Sequence, residues 1–132
     1  MAEHPDCALV RRAYEAFGKG DLDTVGSLMT DDVVHHVPGN NTLSGHHTGR
    51  AAVLNLYRET GELTDDTMRV ELENVLTDGR GHVMTVHKSF GDHGDRGIEI
   101  HEGFFITVVE GKMTDIVECT QDVDEKNAFW GS

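Results

Sequence analysis

With 132 residues the chain has the size of one folded domain, and a second core would be too small to stand alone. It carries 24 acidic against 11 basic side chains, a formal net charge of −13, which repels nucleic acid and anionic membrane surfaces. No apolar run approaches the roughly 20 residues of a membrane span, and the two cysteines, Cys7 and Cys119, match no CxxC or zinc-ribbon spacing.

Asp6, after Pro5, is positioned to cap a first helix. Leu9, Val10, Ala13, Tyr14, Ala16 and Phe17 recur at three and four residues along it, and Gly18 and Gly20 end it. Asp21 can cap a short second helix with Leu22, Val25, Leu28 and Met29 on its buried side. Residues 33–37 then read as a strand stopped by Pro38-Gly39. Residues 39–48, GNNTLSGHHT, read as a polar loop. A third helix is expected from Gly49 through Glu59, with Ala52, Val53, Leu56 and Tyr57 on one face and Gly61 at its end. From there the period drops to two. Strands are expected over 68–77, 82–90, 97–109 and 113–123, joined by hairpin signals at Asp78-Gly79, 91–94 and Glu110-Gly111. Asp124 opens a tail, EKNAFW, that can fold back as a short helix.

The order is helix, helix, strand, helix, then a meander of four strands. No βαβ alternation, repeat or linker interrupts it, so residues 1–132 are expected to form a single α+β domain with helices on one face of the sheet. Long strands that wrap three helices must curve strongly. A curved sheet closed on one side by helices leaves a conical interior, where a ligand site is expected. The N-terminus, MAEHPDCALVRR, lacks the basic-then-apolar pattern of a signal peptide, and a cytoplasmic protein with reduced thiols is expected.

Three stretches carry a family resemblance: FGKGDLDTVGSLMTDDVVHHVPG, LSGHHTGRAAVLNLYRE and FFITVVEGKMTDIVECTQD. In this order the chain resembles the NTF2-like superfamily, which includes SnoaL-type cyclases, ketosteroid isomerases and limonene-epoxide hydrolases. The resemblance implies a cone-shaped barrel of three helices on a highly curved, mostly antiparallel sheet. It does not imply a reaction, because the fold hosts enzymes, binding subunits and transport factors. The isomerase-like carboxylate before the strand-ending proline is replaced here by Val37. The hydrolase-like Arg-x-Asp and final Asp correspond to His87, Ser89 and Glu118, and its asparagine falls near His36. The cyclase-like acid again corresponds to Glu118. The partner histidine position falls at Gly103, with His101 as substitute only if the register slips by two.

Glu118, His87 and His36 are therefore the candidate catalytic residues. Glu118 either points inward beside Ile116, where burial would make it an acid or base usable near neutral pH, or faces solvent with Thr120 and Asp122. Thr85, His87 and Ser89 share one strand face, and a histidine beside a carboxylate suits proton transfer. His36 shares a face with Val34, and His35 shares one with Val33 and Val37, so only one of the two points inward. The alignment selects His36. Tyr14 and Tyr57, on buried helix faces, are candidate donors to a substrate oxygen. Ser89, Phe17, Phe104 and Trp130 complete the candidate substrate-binding set, with Phe105 and Phe129 as further lining.

Nine histidines raise the question of a metal. The adjacent pairs His35–His36 and His46–His47 point to opposite strand faces, and no HxH or HExxH occurs, so no metal is expected. No P-loop, GxGxxG or GxSxG motif is present, and no cofactor is expected. Three functional classes remain. One is a cofactor-free acid–base enzyme (isomerase, cyclase, dehydratase or hydrolase) acting on a small apolar molecule. Another is a binding protein without chemistry. The third is an interaction module, with Val70, Leu72, Leu76, Ile98, Ile100 and Ile106 as an apolar outer face. A homodimer joined through the sheets is expected, with no nucleic-acid or membrane partner.

Overall fold

A computed structural model describes residues 3–132. Helix α1 spans Pro5–Gly18, with proline in its first turn, where the missing N–H costs nothing. Its cap differs from expectation: the ring of His4, not the Asp6 carboxylate, accepts the Asp6 backbone N–H at 3.1 Å. Helix α2, Leu22–Ser27, is capped by Asp21, which accepts from the Thr24 backbone N–H. Strand β1 follows at Met29–Val37.

The segment expected as loop contains a strand, β2 (Gly45–Thr48), antiparallel to β1 with His36 opposite His46. Its polar run pairs because β1 would otherwise leave an open edge of backbone donors and acceptors. Helix α3, Arg50–Leu63, continues past Gly61. The reversal is made instead by Asp65 and Asp66, both in the left-handed region at φ 49° and 58°. Strands β3 (Arg69–Thr77), β4 (His82–His93), β5 (Arg96–Val109) and β6 (Lys112–Thr120) form the meander. Helix α4, Val123–Trp130, is capped by Asp122.

The six strands lie in the order β2-β1-β6-β5-β4-β3. Among the described residues, only the β1–β6 seam is parallel. Irregularities in β1, β3 and β6 bend the sheet around the helices. At Gly103 a Cβ would lie 2.1 Å from the Thr85 carbonyl oxygen, so only glycine lets β4 and β5 approach there. One buried cluster joins α1, α2 and α3 to the sheet through Val10, Val25, Val33, Val53, Val83 and Ile106. A second gathers Leu43, Leu56, Ile98, Ile100, Phe129 and Trp130 under α4.

The outer sheet face corrects one expectation. Ile98, Ile100 and Ile106 are buried inside, because strand alternation places them with Phe104. Val70 lines the interior, and Leu72 is half-buried. The exposed large apolar residues of the sheet are Leu76 (61%), Met84 (53%), Phe105 (39%) and Val117 (39%), with Val86 and Val109. The first four are cross-strand partners in sequence, Leu76 to Met84 to Phe105 to Val117, and form one row over β3–β6. Phe105, expected as interior lining, belongs to this row.

Among the described residues, no helix is long and apolar enough to cross a membrane.

Candidate active site

The concave sheet face and the helices α1 to α4 enclose a cavity of about 130 Å³. An apolar cavity of about this size holds a molecule such as benzene. Of the sequence candidates, Tyr14, Phe17, Tyr57, His87, Ser89, Phe104, Glu118 and Trp130 all line it. His36 does not. Val33 and His35 are buried on the inner face of β1, and alternation turns His36 outward. The inward imidazole is His35, 2% exposed, whereas the His36 side chain is 30% exposed. His36 meets Asp115 at 2.9 Å and the ring of His46 on β2. His101 also faces outward and pairs with Glu73 at 3.0 Å.

Two charged lining residues, Glu102 and Lys126, were not among the sequence candidates. Glu102 shares the inward set of β5 with Ile100 and Phe104, and that period-two pattern was the available signal. Lys126 sits on α4, and nothing local marks it as an interior residue. Its place depends on how α4 is held. Asn127 Oδ1 accepts from the Asn40 backbone N–H at 2.8 Å and from Asn41 Nδ2 at 2.9 Å. Arg96 donates to the Ala128 carbonyl at 2.7 Å, and His93 Nδ1 donates to that of Phe129 at 2.8 Å. Two loops thus clasp α4 against the cone and fix the direction of Lys126.

One wall of the cavity carries two histidine–glutamate pairs. In the first, His35 Nε2 donates to Glu118 Oε1 at 3.0 Å, and His35 Nδ1 accepts from the Tyr57 hydroxyl at 2.8 Å. In the second, His87 Nε2 stands 3.9 Å from Glu102 Oε1, beyond hydrogen-bond reach. His87 Nδ1 meets the Tyr14 hydroxyl at 2.7 Å, and Tyr14 meets Thr85 Oγ1 at 2.8 Å. The Phe104 backbone N–H donates to that same Thr85 oxygen at 3.0 Å. The arrangement that uses every proton therefore runs from Thr85 to Tyr14 to His87 Nδ1. It makes His87 the Nε2–H tautomer, with that proton directed toward Glu102 and the cavity. The Phe104 ring packs edge-on against both imidazoles, with centroids 5.3 and 5.1 Å away.

Lys126 Nζ pairs with Glu102 Oε2 at 2.8 Å and lies 4.0 Å from Glu118 Oε2. Ser89 Oγ donates to Glu102 Oε1 at 3.1 Å. Burial pushes the Glu102 pKa upward, but the His87 imidazole and the Lys126 ammonium outweigh it and bring it down to about 2. Burial above all, with the charge of Glu118 adding to it, pushes both the Tyr14 and Tyr57 phenols well above their ordinary value. Both tyrosines therefore stay protonated and act as donors. The wall combines an anion paired with an ammonium, a second carboxylate that lines the cavity, and an imidazole N–H. Such a set can take a proton from carbon and stabilise the negative oxygen that results. Among the described residues, no group of three or more histidine, cysteine, aspartate or glutamate side chains is placed to hold a metal ion.

A family model described as a SnoaL-like domain matches residues 10–116. An uncharacterised protein of Mycobacterium tuberculosis (strain H37Rv) is 32% identical over 130 residues, which cover 98% of this chain and 99% of the relative. Among solved structures, Bal32a from a soil-derived mobile gene cassette superposes with a TM-score of 0.94 at 27% identity, over 96% of this chain and 97% of that one. An NTF2-like protein from Burkholderia xenovorans LB400 gives 0.83 at 24% identity, over 99% of both chains.

Proposed function

Since the chain belongs to the SnoaL-like domain family, with the NTF2-like α+β cone, we propose that its interior is an acid–base active site that moves a proton on a small apolar carbonyl compound. The observation that carries this reading is the meeting of two histidine–glutamate pairs on one wall of an otherwise apolar cavity. His35 holds Oε1 of Glu118, and Oε2 remains free to take a proton from the carbon beside the carbonyl. The electron pair of that C–H bond moves onto the carbonyl oxygen. His87 Nε2–H, held in its tautomer by Tyr14, donates to this oxygen as charge develops. Where a C=C bond lies β,γ to the carbonyl, return of the proton from Glu118 to the γ carbon, with the double bond shifting into conjugation and the oxygen's electron pair re-forming C=O, completes an isomerisation. Attack of the same enolate carbon on a second carbonyl, with the proton passed to the new alkoxide, completes a cyclisation.

Deuterium exchange tests the reading without knowledge of the natural substrate. A panel of small cyclic ketones is incubated in D₂O with the protein, and carbon-bound deuterium is followed by mass spectrometry. Exchange well above the buffer rate is expected, with a loss of about 10²-fold or more in Glu118→Gln. A protein that only shelters its ligand would bind the same ketones and leave exchange at the buffer rate.

The reading includes a homodimer joined through the outer sheet face. It is supported by the registered row Leu76, Met84, Phe105 and Val117, an exposed apolar stripe of the kind that marks interfaces. Beside the row, the Asp115 carboxylate accepts from His36 Nε2 at 2.9 Å.

A further inference from the structure

Three charged side chains besides the histidines line the cavity: Glu102, Glu118 and Lys126. The single ammonium is shared unequally. It lies 2.8 Å from Glu102 Oε2, an ion pair by distance though without hydrogen-bond geometry, and 4.0 Å from Glu118 Oε2, outside hydrogen-bond reach. Glu102 also accepts from Ser89, whereas among the described residues Glu118 accepts only from His35. Lys126 is itself buried, lies 5.8 Å from the Trp130 ring, and extends from a helix clasped by two loops, which places its charge nearer Glu102 than Glu118.

We propose that Lys126 is the positioning residue that divides the two glutamates, holding Glu102 as a fixed counter-ion and leaving Glu118 as the working base. The assignment rests on the acid–base reading above. A carboxylate with an ammonium 2.8 Å away and a hydroxyl hydrogen bond is favoured as the anion by both neighbours, and proton uptake there would leave the ammonium without its counter-ion in an apolar interior. Glu118 meets neither constraint at Oε2. Glu102 instead keeps a permanent negative charge beside the His87 Nε2–H, which supports that imidazole as a donor.

The consequence for ligand charge is separately readable. Lys126 is neutralised in the intact protein, so an anionic ligand finds no free cation in the wall. Removing the Glu102 charge releases one.

The test uses the full chain and four variants. Proteins carrying ¹³C-labelled glutamate carboxyls are titrated by NMR. The Glu102 midpoint is expected to rise by two or more pH units in Lys126→Met and to return toward the native value in Lys126→Arg. The pH profile of ketone exchange should move in Lys126→Met and be restored in Lys126→Arg, a pattern that a merely structural role would not produce. Glu102→Gln keeps the side-chain shape and guards against a misfolded lysine variant. It is expected to lose at least tenfold less exchange activity than Glu118→Gln, and to bind 2-naphthoate at least tenfold more tightly than the native protein, with 2-naphthol as neutral control. A Glu102 midpoint that ignores Lys126→Met, or no gain of 2-naphthoate in folded Glu102→Gln, overturns the assignment. If Glu102→Gln loses as much exchange as Glu118→Gln, the division of roles falls while the acid–base reading stands. Absence of exchange in the native protein removes both.

Discussion

His35 Nε2 and Glu118 Oε1 lie 3.0 Å apart although 83 positions separate them in the chain. The imidazole is buried, so its N–H has no solvent to turn to when the carboxylate is removed. Glu118→Ala is expected to destabilise the fold by about 1–3 kcal/mol, the cost of an unsatisfied buried donor, beyond any packing loss. Glu118→Gln keeps a carbonyl acceptor and should cost less. Urea unfolding midpoints at equal m-value measure the difference.

Tyr14 joins Thr85 to His87 and fixes which imidazole nitrogen is protonated. Tyr14→Phe leaves His87 Nδ1 without its donor and Thr85 without its acceptor. Nitrogen-15 NMR of His87 should shift from the Nε2–H form toward a mixture of tautomers. A stability loss of about 1–3 kcal/mol should accompany it, because two buried polar groups lose a partner.

Glu102 carries an acid-stability signature. Its pKa is depressed from 4.5 to about 2, so the folded state binds this proton less readily than the unfolded chain. The stabilisation is therefore complete above the ordinary glutamate range and is lost as pH falls from about 4.5 through 2. Native protein should lose on the order of a few kcal/mol across that window through this group. Glu102→Gln should show a flatter acid limb, with one proton fewer taken up on unfolding. Denaturant titrations at closely spaced pH values give the slope.

Gly103 is a packing requirement. Its missing Cβ would sit 2.1 Å from a backbone oxygen, which cannot rotate away as a flexible side chain would. Gly103→Ala is expected to cost more than about 3 kcal/mol or to prevent folding, in the range reserved for steric failure at a special site. Thermal melts of the purified variant decide it.

The exposed row on the outer sheet predicts an association state. Met84→Asp places a charge at its middle and should convert a dimer to a monomer, while leaving ketone exchange measurable if the cavity is complete in one chain. Light scattering across micromolar concentrations reads the mass directly.

Most of the architecture was legible because local rules and tertiary demands agreed. Apolar spacing located α1 and α3, and the change to period two located the meander. Strand β2 was not legible: GHHT has no apolar alternation, and it pairs only because β1 offers it an edge. Inside the cone, Glu118 and His87 were accessible from strand patterns and the family resemblance. His35 was visible from its shared face with Val33, yet positional likeness pointed to His36, and alternation decided against it. Lys126 had no local signature, since a charged residue in a short helix normally faces solvent. Its role comes from loops far away in sequence that orient α4.

The one parallel seam, β1 against β6, joins strands with most of the polypeptide between them. Loop-closure entropy makes such a contact slow to form, and it resists formation until the intervening hairpins have condensed. His35 sits on one side of this join and Glu118 on the other. The pair therefore arises only when the sheet shuts, and a kinetic intermediate that holds the meander alone would have no competent centre. Recovery of ketone turnover after dilution from urea should accordingly track the slowest refolding phase rather than the appearance of secondary structure.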